Sequence, residues 1–470
     1  MQSGHTVYGP RENEAGVYRP RKPWESPLYR LVEDYFDEFE RVYPERFQHK
    51  YGFWRPVIRK TVEEYLKCGD LREGFARVRC PDCGHDMFVG FSCKQRCICP
   101  SCHQKRTLVT AINIAENICE PVPHRQFVFT MPKRFRLFFR FDRNLLRKLP
   151  KLAWETVLEV YRAVLSRNDV VPGMVAGIQT HGQLSNWHPH IHALASYGAF
   201  TREGTFIQLP DDLSTTPFLK IWEDKVFKLL LDEGRITQGV IDQMRSWQHS
   251  GFSVDKSVAL AAGDTAGLER LAAYMVRCPI SLDRIVSVGD DGQVVYRAEK
   301  PTCQPFPILG NPKLFRGISR NFEVFDPLEF LAEVTQHIPD PGMQMVRYYG
   351  WYSNKMRGQR TKAAESTGNA SEEIVIDDGD TPYRKLCRMR WGALLKRVFE
   401  IDPLCCPNCG GTMKIISFVE RRDQPDVVEK ILRHCGRWDR PASRAPPPEE
   451  PEQLTLELQY VDTDQFLMAL

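Results

Sequence analysis

Two Cys-x-x-Cys pairs stand close together in the first quarter of the chain, at Cys80–Cys83 and Cys99–Cys102. Thiolates from two such pairs, separated by a short loop, are typical of a tetrahedral zinc site. Four sulfur ligands leave no open position, so the predicted ion would stabilise the fold and take no part in chemistry. Buried free thiols are the alternative. Further residues of this segment could replace or support a ligand, namely Cys93, Cys97 and His103.

A third pair, Cys406–Cys409, is followed by two glycines near the end of the chain. No second pair completes it there, so we predict a half-knuckle closed by one or two other side chains, with a plain turn as the alternative. The candidate partners are Cys387, Cys405, His434 and Cys435.

His190 and His192 are two residues apart in a segment with the character of a β-strand. Side chains at that spacing leave the same face of a sheet, so the two imidazoles could bind a divalent metal ion together. A His-x-His pattern also arises by chance. If the preceding strand pairs with this one, Gln179 or His181 could supply a third ligand.

Three tyrosines lie in the segment Arg347–Tyr352. Tyr348 and Tyr352 are four apart and would share one face of a helix, whereas Tyr349 would point elsewhere. Tyr349 and Tyr352 are three apart, which one helical face also allows. Aromatic residues at this spacing are often core residues, but Gly350 and the basic residues that follow favour an exposed segment.

The segment from Lys94 to Lys151 carries thirteen Lys and Arg against three acidic residues, and phenylalanines alternate with its arginines. Such a mixture can follow a phosphate backbone and stack on bases, although a solvated amphipathic helix is the alternative. The net charge of +4 is too small to decide between them. The candidate nucleic-acid contacts are Arg134, Arg136, Arg140, Arg143, Lys355 and Arg357.

The periodicity of apolar residues predicts a mixed α+β fold. β-Type runs are expected at 127–131, 174–181 and 190–197, with a turn at 182–187. Helical patterns are expected within 28–67 and at 104–119, 135–148, 151–166, 217–231, 265–277 and 326–337.

Composition indicates a soluble chain of several domains. At 470 residues, with 42% hydrophobic and 26% charged residues, the chain has no apolar run long enough to span a bilayer. The amino terminus lacks the apolar stretch of a secretory signal, so we expect a cytoplasmic location and metal-bound cysteines in place of disulfides.

The chain divides into five predicted parts. These are a helical and zinc-binding domain at 25–110, a central domain with an antiparallel sheet flanked by helices at 120–357, a flexible linker at 358–382, a cysteine-containing unit at 383–440 and a disordered tail at 441–470.

Four blocks, in this order, resemble one known family: the cysteines of 80–102, GIQTHGQLSNWHPHIHALASYG at 177–198, VRYYGWYSNKMRG at 346–358 and VFEIDPLCCPNCGG at 398–411. The chain is similar to rolling-circle transposases of bacterial insertion sequences, of the insertion-sequence-ninety-one type. That family joins a zinc-binding domain to an HUH domain (His, hydrophobic, His) with one or two catalytic tyrosines. The similarity extends from about residue 25 to about residue 440.

The resemblance implies that His190 and His192 bind Mg²⁺ or Mn²⁺ and that Tyr348 and Tyr352, or alternatively Tyr349, are nucleophiles. A tyrosine would cut single-stranded DNA, keep the 5′ phosphate and release a 3′ hydroxyl, so that rejoining needs no ATP. The expected partners are the single-stranded ends of the mobile element and target DNA, in a bacterial, nucleoid-associated setting. The chain has no GxxxxGK[ST] phosphate loop, so a host helicase or replication would separate the strands.

Two other interpretations remain at this stage. A rolling-circle replication initiator would use the same chemistry on a different DNA sequence. A zinc-dependent DNA-binding regulator would bind DNA without forming a covalent adduct.

Overall fold

The amino-terminal part of the described chain is helical. The computed structural model describes residues 22–289, 291–299, 304–305, 319–366 and 404–438. Ser26 caps the first helix by accepting a hydrogen bond from the backbone N–H of Tyr29. The apolar stripe of this helix is buried and packs against a later helix, α10. The helices are α1 (Pro27–Arg46), α2 (Gln48–Tyr51), α3 (Pro56–Leu66) and α10 (Pro327–Thr335).

A small antiparallel sheet carries the first Cys-x-x-Cys pair. Its strands are β1 (Gly74–Arg79), β2 (Asp86–Gly90) and β16 (Lys414–Glu420), in the order β16-β1-β2. Helix α4 (Pro100–Asn113) begins directly after Cys99 and ends in a π-helical turn at Ile114–Ile118. The predicted C-terminal unit therefore does not stand alone, because its strand completes a sheet with the N-terminal module.

The central sheet has six antiparallel strands in the order β15-β4-β5-β3-β8, with β9 also paired to β3. Strands β4 and β5 form a hairpin in which His190 lies opposite Gln179 and His192 lies opposite Gly177. The strands are β3 (His124–Thr130), β4 (Gly173–His181), β5 (Trp187–Ser196), β8 (Ser253–Asp255), β9 (Ala259–Leu260) and β15 (Val346–Gly350).

Helices cover both faces of this sheet, which explains why its central strands are apolar on both sides. One face packs on α5 (Lys133–Phe141), α6 (Arg143–Leu165) and α7 (Thr216–Asp232). The other face, which carries the histidines, packs on α4 and α9 (Thr265–Met275). The predicted helix boundary near residues 149–150 is wrong: the break falls at Asp142, and Pro150 lies inside α6.

Shorter elements complete the described chain. They are the 3-10 turns Pro23–Glu25, Leu71–Glu73 and Leu282–Arg284, strands β6 (Gly198–Phe200), β7 (Phe206–Gln208), β10 (Ile285–Val288), β11 (Val294–Arg297), β12 (Gln304–Pro305), β13 (Ser319–Arg320) and β14 (Phe322–Phe325), and helices α8 (Gln238–Arg245), α11 (Asn354–Ser366) and α12 (Pro425–His434).

The α+β class is confirmed, with N-terminal helices, a central antiparallel sheet and cysteines near the end of the described chain. The expected linker is not flexible throughout, because residues 358–366 belong to α11, where Arg360 donates to the carbonyl of Trp351. The rest of that linker, Cys387 and the expected tail at 441–470 lie outside the described residues. None of the described helices is both long and apolar enough to pass through a bilayer.

Candidate active site and cysteine clusters

The two histidines of the His-x-His motif meet on the central sheet. Both are buried, at 9% and 3% exposure for His190 and His192, and their Nε2 atoms are 3.0 Å apart. Two neighbouring ligands of an octahedral ion, each at about 2.1 Å from it, would be about 3.0 Å apart. The pair therefore has the separation that a small divalent cation requires.

Hydrogen bonds hold the outer nitrogen of each ring. His190 Nδ1 lies 2.7 Å from the carbonyl oxygen of His188, to which it donates, so its Nε2 carries the lone pair and faces Nε2 of His192. His192 Nδ1 lies 2.7 Å from the side-chain amide of Gln126 on β3. Partners of this kind fix ring orientation in metal sites.

Burial keeps these imidazoles neutral. It lowers the pKa of His190 to about 4 and that of His192 to about 2, with a smaller lowering by neighbouring positive groups. The same cause lowers the pKa of His188 to about 3. A neutral imidazole is the form that binds a metal, so the pair is prepared for one at neutral pH.

The expected third ligand is Gln179 or His181. Gln179 lies across the strand from His190, and its Nε2 donates to the carbonyl oxygens of Tyr274 and Met275. Among the described residues, His181 does not form a cluster of metal-binding groups with the pair. Gln179 therefore remains the better placed of the two.

Tyr274 is the tyrosine that contacts the histidine pair in the described part of the chain. Its ring centroid lies 5.5 Å from that of His192, with the two planes perpendicular, and the side chain is 42% exposed. The guanidinium of Arg277 lies 4.5 Å from the ring centroid. Tyr274 belongs to none of the motifs found in the sequence and was not predicted. The signal was available, because Tyr274 lies off the buried stripe of α9 formed by Leu268, Leu271, Ala272 and Met275.

The prediction that Tyr348 and Tyr352 share a helical face is wrong. Val346–Gly350 is strand β15, paired with β4, so neighbouring residues point to opposite faces. Tyr348 is half-buried on the α4 and α9 side. Tyr349 packs on the opposite face, with its ring stacked 5.8 Å from that of Trp154.

Tyr352 is a core residue. It is 0% exposed, its ring lies against Gly173, and a Cβ at that glycine would come within 2.6 Å of it. Its hydroxyl donates to Nε2 of His124 at 2.7 Å and accepts from the backbone N–H of Glu120 at 3.3 Å. Burial raises its pKa well above the usual value. A DNA phosphate has no access to this hydroxyl in the structure.

The cysteines form two clusters, and the predicted set of four is divided between them. Cys99 and Cys102 lie with Cys68 and Cys93, whereas Cys80 and Cys83 lie with Cys406–Cys409. Each cluster has its ligand atoms within 4.8 Å of one another. Cys93 thus belongs to the first cluster, in agreement with its prediction as a residue that could replace or support a ligand.

The remaining candidate ligands lie outside both clusters. The buried Cys97 instead donates its backbone N–H to Nδ1 of His103 at 3.0 Å, so His103 is not free as a ligand. The proposed partners Cys405, His434 and Cys435 do not join Cys406–Cys409. Spacing along the sequence could not identify Cys68, which stands alone in the chain.

The predicted DNA contacts fall into two groups. Arg134 and Lys355 are exposed, with the Arg134 guanidinium 5.5 Å from the ring centroid of the exposed Trp247. Arg140 and Arg143 instead lie against Trp187; Arg140 is partly buried and Arg143 is only 9% exposed.

Two further predicted contacts are partly buried. The guanidinium of Arg136 has an Nε with no partner among the described residues. Arg357 bonds the carbonyl of Tyr352 and the side chain of Asn354.

A cavity of about 240 Å³ opens beside the site, between α4 and the central sheet. Three arginines line it: Arg96 and Arg106 come from the N-terminal module, and Arg277 follows α9 of the central domain. No acidic side chain is among its lining residues. It is also lined by Gln179, Tyr348 and the residues directly after Tyr274.

Fold and site together define an α+β protein with two cysteine clusters of the zinc-binding type and a buried histidine pair on its central sheet. Residues 38–131 match the family described as "Transposase zinc-binding domain", and residues 173–360 match the family described as "Putative transposase". The chain belongs to the insertion-sequence-ninety-one type of transposases and carries their N-terminal zinc-binding domain.

Two curated relatives are similar over most of their length. The "Transposase for insertion sequence element IS801" of Pseudomonas savastanoi pv. phaseolicola is 24% identical over 77% of this chain and 84% of its own. The "Putative transposase y4qJ" of Sinorhizobium fredii is 23% identical over 78% of this chain and 91% of its own. No solved structure matches the chain significantly.

Proposed function

We propose that this transposase cuts and rejoins single-stranded DNA through a covalent bond to Tyr274, at a metal site formed by His190 and His192. The observation that carries the proposal is the contact between the exposed Tyr274 ring and His192. A mobile-element transposase must act on the DNA of its own element, so the substrate is single-stranded DNA at the ends of that element and at its target. Three further points remain predictions: a host helicase as partner, a cytoplasmic, nucleoid-associated location, and the alternative role of a replication initiator with the same chemistry.

The chemistry balances without a further reagent. The Tyr274 oxygen would attack the phosphorus and form a tyrosine–phosphate bond while the bond from phosphorus to the 3′ oxygen breaks. The proton lost by the phenol ends on that 3′ oxygen, which leaves as a hydroxyl. Because a phosphodiester replaces a phosphodiester, the reverse attack by a 3′ hydroxyl rejoins DNA without ATP.

A phenol with a pKa near 10 is a weak nucleophile and needs help. Mg²⁺ or Mn²⁺ would polarise the scissile phosphate and stabilise its developing charge. The chain's own contribution is geometric. The hydrogen bonds from Gln179 hold the backbone at Tyr274, and the Nε2 atoms of His190 and His192 lie 3.0 Å apart on the same face of the sheet.

The DNA-binding surface in this proposal is the arginine-lined cavity together with the exposed Arg134 and Lys355. Arg96, Arg106 and Arg277 bring positive charge to a cleft lined by the residues that follow Tyr274, where phosphates next to the scissile one would lie. A structural zinc ion at Cys68, Cys93, Cys99 and Cys102 would hold the start of α4, which forms one wall of that cavity.

The test is formation of an SDS-resistant protein–DNA species from single-stranded element ends and Mn²⁺. We expect wild type and Tyr348→Phe to form it and Tyr274→Phe to form none. Tyr274→Phe should still bind the same DNA in a filter assay. Normal adduct formation by Tyr274→Phe would overturn the assignment, and no adduct from wild type would favour the non-catalytic regulator.

A further inference from the structure

The second cysteine cluster is assembled from opposite ends of the described chain. Cys80 Sγ lies 3.5 Å from Cys409 Sγ, and Cys83 Sγ lies 3.6 Å from Cys406 Sγ. Four thiolates around a tetrahedral zinc ion, each at about 2.3 Å, are about 3.8 Å apart. These separations are much longer than a disulfide bond and close to those of a zinc site.

The two halves have the same loop conformation. The backbone N–H of Gly84 donates to the carbonyl of Cys80 at 3.0 Å, and that of Gly410 donates to the carbonyl of Cys406 at 2.9 Å. Both glycines have a left-handed backbone, with φ of 73° and 75°. Two identical turns thus present their sulfur atoms to each other, which chance packing of free thiols does not explain.

The strands next to these loops are paired. Strand β1 ends at Arg79, one residue before Cys80, and Arg79 lies opposite Lys414, the first residue of β16. The antiparallel pairing continues, across a shift in register between Arg77 and Val78, to Gly74 opposite Glu420. The cluster therefore stands at the end of a two-strand ladder that joins the N-terminal module to the C-terminal segment.

Within the described residues 404–438, the C-terminal segment shares its core with the N-terminal module. On one side of the ladder Cys406 and Met413 pack with Val78 and Met87. On the other side Val419, Val428 and Leu432 pack with Phe75 and Phe88. Residues 404–438 number roughly 35, and chains below about 40 residues usually need a metal, a disulfide or a partner to fold.

We propose that Cys80, Cys83, Cys406 and Cys409 bind a second zinc ion that clasps residues 404–438 onto the N-terminal module. The matched zinc-binding domain, residues 38–131, contains only half of this ligand set. The site is closed, with four thiolates and no open position, so its role is structural. Each thiol loses its proton when the ion binds.

Zinc content per chain, measured by mass spectrometry of the metal in purified full-length protein, tests the clasp. We expect two zinc ions in wild type and one in Cys409→Ser. Cys405→Ser is the matched control, because Cys405 is an exposed neighbour outside the cluster, and it should keep two. Cys83→His should also keep two, since imidazole can replace one thiolate in such sites.

Hydrogen exchange on the same samples shows whether Cys409→Ser has merely unfolded. We expect Cys409→Ser to lose protection at Lys414–Glu420 while Gly173–His181 of the central sheet keeps wild-type protection. Two zinc ions in Cys409→Ser would overturn the proposal, as would one zinc in wild type or an equal loss in Cys405→Ser. None of these measurements depends on DNA cleavage, so the second zinc site can be supported or refuted independently of the catalytic proposal.

Discussion

At the scale of single residues, access to solvent separates Tyr274 from the other tyrosines considered. Tyr274 is 42% exposed beside the histidine pair, whereas Tyr352 is 0% exposed and has both hydrogen-bonding roles of its hydroxyl filled. Attack in line on a phosphate requires the phenol oxygen to reach the phosphorus. Burial therefore assigns Tyr352 to the core and leaves Tyr274 available for chemistry.

His192→Ala should reduce adduct formation at least about 100-fold, because charge on the phosphate would lose its metal-ion stabilisation. Binding of single-stranded DNA should stay within about two-fold, since it comes mainly from contacts with phosphates. His49→Ala, at an exposed histidine of α2, is the control. Two results together would contradict a role for the metal ion: adduct formation by His192→Ala at the wild-type rate, and a wild-type rate that a chelator does not change.

Tyr352→Phe should act on stability and spare chemistry. The change leaves the ring in place but removes the hydroxyl that links His124 to the Glu120 amide, at a cost of about 1–2 kcal/mol. Urea unfolding should show this loss. The folded variant should still form the adduct at a rate near that of wild type, and a stable variant without adduct would return Tyr352 to the catalytic candidates.

The histidine pair could be predicted from the sequence because side chains two residues apart on a strand always leave the same face of the sheet. The tyrosine segment was misinterpreted because spacing alone does not state whether a segment is helix or strand, and pairing with β4 decided in favour of strand. Tyr274 lies 82 positions from His192 in the sequence, and only the packing of α9 on the sheet brings them together.

At the scale of elements, α4 connects the zinc-binding module to the helix that carries Tyr274. Nε2 of His103 and Oγ1 of Thr107 both donate to the carbonyl of Val276, at 2.9 Å and 3.0 Å. Val276 follows the end of α9 and is two residues from Tyr274. The first cysteine cluster, at the start of α4, can in this way set the position of the nucleophile.

Thr107→Val should slow adduct formation several-fold without weakening DNA binding, because one of the two bonds that hold Val276 is lost at nearly constant side-chain volume. Val109→Ala, at an exposed site on the same helix, is the control for changes in α4. Rates can be compared in single-turnover assays. An unchanged rate for Thr107→Val would show that α9 holds Tyr274 without help from α4.

Most elements of the central domain were predictable, since alternation and helical periodicity are local signals. Partners far apart in sequence were not. The ligands of Cys406–Cys409 come from residues more than 300 positions earlier, and the loop spacing of Cys80–Cys83 and Cys99–Cys102 suggested a single site that the fold divides in two.

At the scale of the whole molecule, the clasp makes the two ends of the described chain depend on each other. A protease site inserted between residues 371 and 381 allows the covalent connection to be cut. We expect the two fragments to elute together when zinc is bound, because β16, the buried core and the ion all join them.

The same cut chain carrying Cys409→Ser should separate on the column, and Cys405→Ser should not. Chelation of zinc from the cut wild-type chain should reproduce the separation. Fragments that come apart with both zinc ions still bound would contradict a stable joint module.

The most direct measurement for the account as a whole is peptide mapping of the covalent adduct by mass spectrometry. Wild-type protein is incubated with single-stranded element ends and Mn²⁺, the DNA is digested, and the modified peptide is sequenced. We expect a phosphonucleotide on Tyr274 and on no other tyrosine. An adduct on Tyr348, Tyr349 or Tyr352 would contradict it.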